Sequence, residues 1–129
     1  MNISNNKPSH FVMPEQEALA DQAYRFFHSE FFEMNAEMDD TDELPESVFP
    51  TLGKMGYLGL NVPTEYGGAG LDFTSACVIT EELSCVSAAI GLTHVAHDNL
   101  CVNNIYRNAS EEMRKKYLPG LCDGTMIGA

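Results

Sequence analysis

The sequence predicts an all-α fold, an up-and-down bundle of about six helices. Three observations point there. Apolar residues recur at three- and four-residue spacings through most of the chain, the period of a helix buried on one face. Prolines, glycines and capping residues cut that pattern into helix-length pieces. Outside the last five residues, no stretch alternates apolar and polar side chains as a half-buried strand does.

The elements follow in order. Residues 1–13 form a polar lead-in punctuated by Pro8. Pro14 suits the first turn of a helix, where its missing N–H costs nothing. Leu19, Ala23, Phe26 and Phe27 give that helix its apolar face, and Phe31, Phe32, Met34 and Met38 carry a second one after a bend near Ser29. The acidic run from Asp39 to Asp42 breaks it. Pro45 opens a third helix, which Pro50 should kink or shorten. Gly53, Gly56 and Gly59 then dissolve it into a loop that ends on Gly67, Gly68 and Gly70.

Asp72 can cap a fourth helix running to about Val86, with Phe73, Ala76, Cys77, Thr80 and Leu83 on one face. Ser87 caps a fifth, apolar nearly all round from Ala88 to Ala96 and ending around Asn108, which reads as the central buried helix. Ser110 starts the last helix, and Pro119 with Gly120 is expected to end it. Thr125 to Ala129 reads as the start of a strand with nothing to pair with. An open apolar edge is a poor place for a domain to finish. The expected division is therefore a lead-in over 1–13, a helical domain over 14–122, and over 123–129 the entry to an absent β-domain.

Composition narrows the function. The chain has 129 residues, 44% hydrophobic and 20% charged, enough for one globular domain with a real core. Nineteen acids against seven bases give a net charge of −12. Most of the excess lies between Glu15 and Glu46, where Arg25 is the lone base, and reads as a solvated face. That sign argues against nucleic acid and anionic membrane as partners, because phosphate binding needs Lys and Arg to displace counterions. No apolar stretch approaches the ~20 residues of a membrane span. The first residues lack the apolar core of a secretory signal. Cys77, Cys85, Cys101 and Cys122 form no CxxC pair, so zinc-ribbon geometry is absent, and reduced thiols in a cytoplasmic protein are expected.

Few residues carry obvious chemistry. Gly67 to Gly70 precedes a helix, where phosphates often sit, but a P-loop Gly-Lys-Ser/Thr and the full dinucleotide fingerprint are both missing. A tight interhelical connection accounts for it better. His94, His97, Asp98 and Cys101 fall near one helical face and are competent metal ligands, yet Glu-x-x-His is absent. They read as a metal site, as a hydrogen-bonded polar patch in a packed helix, or as the lining of a pocket. Ser84, Ser87 and Ser110 lack nucleophile context, and adjacent Glu81 and Glu82 diverge on a helix.

Five segments, in order, resemble the N-terminal helical domain of the acyl-CoA dehydrogenase family. They are Leu52-Gly-Lys-Met-Gly-Tyr-Leu-Gly-Leu60, Val62-Pro-Thr-Glu-Tyr-Gly-Gly-Ala-Gly-Leu-Asp72, Glu81-Glu-Leu-Ser84, Ser110 to Pro119, and Asp123 to Ala129. The resemblance covers residues 14–129. His97-Asp-Asn-Leu-Cys101 and Ile105-Tyr-Arg-Asn108 look most like the isovaleryl-CoA dehydrogenase branch. Pro50 and the density of acids from Glu37 to Asp42 depart from the family pattern.

The resemblance implies a flavoenzyme that dehydrogenates a short or branched acyl-CoA thioester between its α and β carbons. FAD would accept the hydride and pass electrons to an electron-transfer flavoprotein, in a complete protein that is a homo-oligomer. The family's base and main flavin contacts lie in domains outside these residues. No catalytic, flavin-binding or metal-binding residue is therefore expected here, and the chain alone should be inactive and flavin-free. What the resemblance carries over is the wall at the acyl end of the substrate pocket, at Thr93, His94, His97, Leu100 and Cys101. The rival expectations are a stand-alone acidic interaction module and a metal-binding helical protein built on His94 and Cys101.

Overall fold

A computed structural model describes residues 12–128, and every regular element among them is helical. Residues 1–11, with most of the polar lead-in, and Ala129 lie outside the described residues. The elements are α1 (Pro14–Phe31), α2 (Met34–Thr41), α3 (Val48–Lys54), a 3-10 turn (Thr64–Tyr66), α4 (Phe73–Val86), α5 (Ala88–Val95), a π segment (Ala96–Val102), α6 (Asn103–Asn108) and α7 (Glu111–Asp123). The run from α5 through the π segment into α6 is unbroken, so six helical bodies result.

Each start has a local cause. Pro14 occupies the first position of α1, and the Met13 amide donates to Gln16 Oε1 at 3.0 Å. Asp72 Oδ1 accepts from the Ser75 amide at 2.7 Å and caps α4. Ser87 and Ser110 accept from the Ile90 and Met113 amides and cap α5 and α7. Pro50 sits in the first turn of α3, among amides that have no intrahelical partner anyway, so it starts a short helix rather than kinking a long one.

Two cores form. Ala20, Ala23, Phe27 and Phe31 make the buried stripe of α1, which packs along α4. Phe27 and Phe31 are fully buried, each worth roughly 1.5–3 kcal/mol by area. Phe26 and Phe27 hold Tyr57 between them at ring distances of 5.3 and 4.7 Å, fixing the loop after α3. The second core joins Val62, Tyr66 and Val102 to Leu118, Leu121 and Cys122 of α7. Tyr66 also donates its hydroxyl to Glu111 Oε2 at 2.6 Å, tying the 3-10 turn to the start of α7.

The structure corrects five sequence expectations. The first break falls at Phe32 and Glu33, not Ser29, because Ser29 returns its hydroxyl to the Phe26 carbonyl and stays helical. α7 runs through Pro119 and Gly120 to Asp123. An interior proline costs about 3 kcal/mol, but Leu118 and Leu121 are buried, and burying two leucines at roughly 1.5–3 kcal/mol each outweighs it. The helix ends instead at Gly124, whose φ of 81° is the left-handed cap. No strand forms at 125–128; Met126 folds back to donate its amide to the Gly120 carbonyl at 2.9 Å. The inward face of α4 is Ala76, Ile79, Leu83 and Val86, while Phe73 is 60% exposed and Cys77 is exposed. The central helix is not buried all round, since Leu92 and Leu100 are 74% and 63% exposed.

Candidate functional site

The central helix carries the sequence-predicted site, and its shape is set by two features. Gly91 lets it cross α4 closely, because a side chain there would run into Ser84. The π segment then admits an extra residue into the turn, rotating everything after it by about 100° relative to a regular helix. Leu92, before the π segment, and Leu100, within it, are both exposed.

The inward side holds three buried polar residues. His94 Nε2 donates to the Tyr57 carbonyl at 2.8 Å. His97 Nε2 donates to the Leu121 carbonyl at 2.9 Å, and its Nδ1 accepts from the Gly128 amide at 3.0 Å. Asp98 accepts from the Gly59 amide through Oδ1 and from the Leu60 amide at 3.1 Å through Oδ2. These side chains complete the backbone of the loop at 57–60 and of the end of α7. Of the readings the sequence left open, the hydrogen-bonded polar patch describes His97 and Asp98. Burial lowers the pKa of His97, against the opposing pull of the Leu121 carbonyl and Asp98. Burial also raises the Cys101 thiol, and pushes Cys122 up to about 12, so Cys122 is an inert thiol.

The structure places the five expected pocket residues in different surroundings. His94 and His97 are buried and face inward. Cys101 is half-buried beneath Gly128, where an added side chain would strike its sulfur. Thr93 opens on a cleft shared with Met38, Asp39 and Glu43, its hydroxyl bonded to the Ala89 carbonyl. Leu100 projects to solvent. A second cleft of ≈ 310 Å³ lies between α4 and the central helix, lined among others by Leu60, Phe73, Cys77, His94 and Asp98. Sequence reasoning missed Phe73 and Cys77 there by assigning them to the core face, and missed Leu92 because the π segment leaves no local sequence signal.

Among the described residues, no three His, Cys, Asp or Glu side chains are grouped to hold a metal ion. The glycine loop does not fit a flavin phosphate: the amides of Gly67, Gly68, Ala69 and Gly70 are all spent on Thr64, Pro63, Gly59 and Val62 carbonyls. It is the tight connection its sequence suggested. Ser84 donates to the Thr80 carbonyl, while Ser87 and Ser110 serve as caps. Glu81 is exposed and Glu82 buried, so the pair does not converge.

Comparison with known proteins places this geometry. The family profile "Acyl-CoA dehydrogenase, N-terminal domain" matches residues 13–125. Isovaleryl-CoA dehydrogenase, mitochondrial, from Bos taurus is 39% identical over 117 residues, covering 89% of this chain and 28% of that protein. The crystal structure of an acyl-CoA dehydrogenase from Geobacillus kaustophilus superposes with a TM-score of 0.85 at 25% identity, covering 91% of this chain and 30% of that one. A structure concerned with the electron transferring flavoprotein of Acidaminococcus fermentans superposes with a TM-score of 0.81 at 32% identity, covering 90% of this chain and 30% of that one. The chain thus spans less than a third of the length of these relatives. With that profile matched over residues 13–125 and every regular element among the described residues helical, the chain belongs to the acyl-CoA dehydrogenase family as an N-terminal helical domain.

Proposed function

We propose that this chain is the N-terminal part of a flavin-dependent dehydrogenase acting on a short or branched acyl-CoA thioester, and that its central helix walls the acyl end of the substrate pocket. The observation that carries this reading is the exposed apolar pair, Leu92 and Leu100, on a helix whose inward side is bonded to the loop at 57–60 and to the end of α7. Two large exposed leucines on one helix mark a surface that another part of a protein completes. Thr93 and Leu100 would touch or flank the acyl chain. His94, His97 and Cys101 would act from behind, holding the helix and its π segment in place.

In this reading FAD is held by parts of the protein outside this chain, residues 123–129 lead into the β-domain, and the isolated chain turns over no substrate. The flavin, when bound, supplies the hydride acceptor. An electron-transfer flavoprotein takes the electrons, and the complete enzyme is a homo-oligomer. No described helix is long and apolar enough to cross a membrane. A cytoplasmic site of action remains our reading of the free thiols, set against relatives named as mitochondrial; cell fractionation separates the two.

The test is a panel of acyl-CoA thioesters given to the full-length protein with an electron acceptor. Bleaching of a bound flavin by short or branched thioesters, with the 2-enoyl product, is the expected result. A full-length protein that binds no flavin and bleaches with no thioester would overturn the proposal.

A further inference from the structure

After Gly124 the chain turns back on α7 and reaches the central helix. The Met126 amide pairs with the Gly120 carbonyl at 2.9 Å, and a side chain on Gly120 would press on the Met126 sulfur. The returning chain meets the central helix at Gly128, over His97 and Cys101. A side chain on Gly128 would strike the Cys101 sulfur, so the backbone there lies directly on the helix.

One ring makes the junction. His97 is fully buried. Its Nε2 donates to the Leu121 carbonyl at 2.9 Å, and its Nδ1 accepts from the Gly128 amide at 3.0 Å. A carbonyl only accepts and an amide N–H only donates, so the two partners fix one neutral tautomer. His97 and Cys101 both lie in the π segment, and so does the exposed Leu100. Such turns are rare and concentrate at functional positions. The same seven residues therefore carry an apolar side chain facing solvent and the seat of the returning chain.

We infer that His97 is a positioning residue, which registers Gly128 and the chain that follows it against the helix carrying Leu100. On the functional reading above, on which this rests, the acyl chain lies on that helix and the reacting groups are carried by residues after Gly128. Reacting groups displaced by about 1 Å can lose on the order of 100-fold in rate. His97 touches neither substrate nor reacting atoms in this role; it acts through the backbone at Gly128.

Two substitutions in the full-length protein separate the two bonds of the ring. His97→Gln places an amide nitrogen near the position of Nε2, keeping the Leu121 carbonyl and releasing Gly128. His97→Asn places an amide oxygen near the position of Nδ1, keeping Gly128 and releasing Leu121. Each gives up one buried hydrogen bond, so a merely structural role predicts similar losses in both. On a short branched acyl-CoA, His97→Gln should lower kcat by roughly 10- to 100-fold with KM little changed. It should also speed amide hydrogen exchange over residues 125–128. His97→Asn should recover most of kcat and the slower exchange. Gly128→Ala, which pushes the chain off Cys101 and leaves His97 in place, should lower kcat in the same way, and Cys101→Ala added to it should restore part of the loss. Equal losses of kcat in His97→Gln and His97→Asn, with the native protein active, would overturn the proposal alone. So would faster exchange over 125–128 in His97→Gln with kcat unchanged. A native full-length protein that turns over no acyl-CoA would overturn the functional reading and take the proposal with it.

Discussion

Asp98→Ala is expected to lower the stability of the chain by about 2–5 kcal/mol, read as a shift in the urea midpoint. The carboxylate is 8% exposed and accepts from two successive amides, Gly59 and Leu60, in a loop with no helix to satisfy them. Removing it leaves two buried N–H groups unpaired, at roughly 1–3 kcal/mol each. Against a typical total of about 5–15 kcal/mol, that is a large fraction. The loop has little room to adapt. Gly59 sits at a φ of 66°, and a side chain there would strike the Cys122 sulfur. Asp98→Asn should fall between the two, since one amide oxygen can accept but the NH₂ faces an N–H. A midpoint unchanged in Asp98→Ala would mean the loop finds other acceptors and the clamp is not structural.

His97→Leu is the second large effect, about 2–4 kcal/mol near neutral pH, because it strands the Leu121 carbonyl and the Gly128 amide. It also has a pH signature. His97 is buried against Phe49 at a ring distance of 4.9 Å, with Asp98 and His94 as its ionisable neighbours, and its folded pKa lies below the ordinary 6.5. The neutral ring alone can accept from Gly128. The unfolded chain therefore binds the proton more readily, and stability from this group is complete above pH 6.5 and lost as pH falls toward the lowered folded value. Thermal melts between pH 8 and pH 5 should show that loss in the native chain and a flatter profile in His97→Leu. Glu111 contributes in a different window. The Tyr66 hydroxyl, chiefly, holds its pKa below the ordinary 4.5, so its stabilisation is lost only at more acid pH. A native profile flat from pH 8 to 5 would contradict the buried neutral ring.

Local chemistry made the helix starts legible. Pro14, Asp72, Ser87 and Ser110 each act within three residues of their own position, and each does in the structure what its type suggests. Tertiary effects were not legible. Pro119 reads as a stop because the burial of Leu118 and Leu121 that overrides it is set by distant residues such as Val62 and Val102. The π segment has no periodicity of its own, and missing it misplaces every later face. Of the residues the resemblance groups on one wall, Thr93 opens on a cleft with Met38 while His97 is buried on the inward side. His97 and Asp98 were rightly seen as chemically capable groups, but their partners are backbone atoms 24 to 39 residues away. Family resemblance supplied what spacing could not: membership, and with it a reason for Leu92 and Leu100 to face outward.

The most direct test of the central claim is the acyl-chain preference of Leu100→Ala in the full-length protein. Leu100 is exposed here, so its substitution leaves the fold of this domain intact, unlike changes at His97 or Asp98. If the outward face of the central helix walls the acyl pocket, removing the leucine deepens it. The ratio of kcat/KM for a longer acyl-CoA over a short branched one should then rise by roughly 10-fold or more, the scale of one or two methylenes in an apolar pocket. An unchanged ratio, with the flavin bound and the fold intact, would contradict the account.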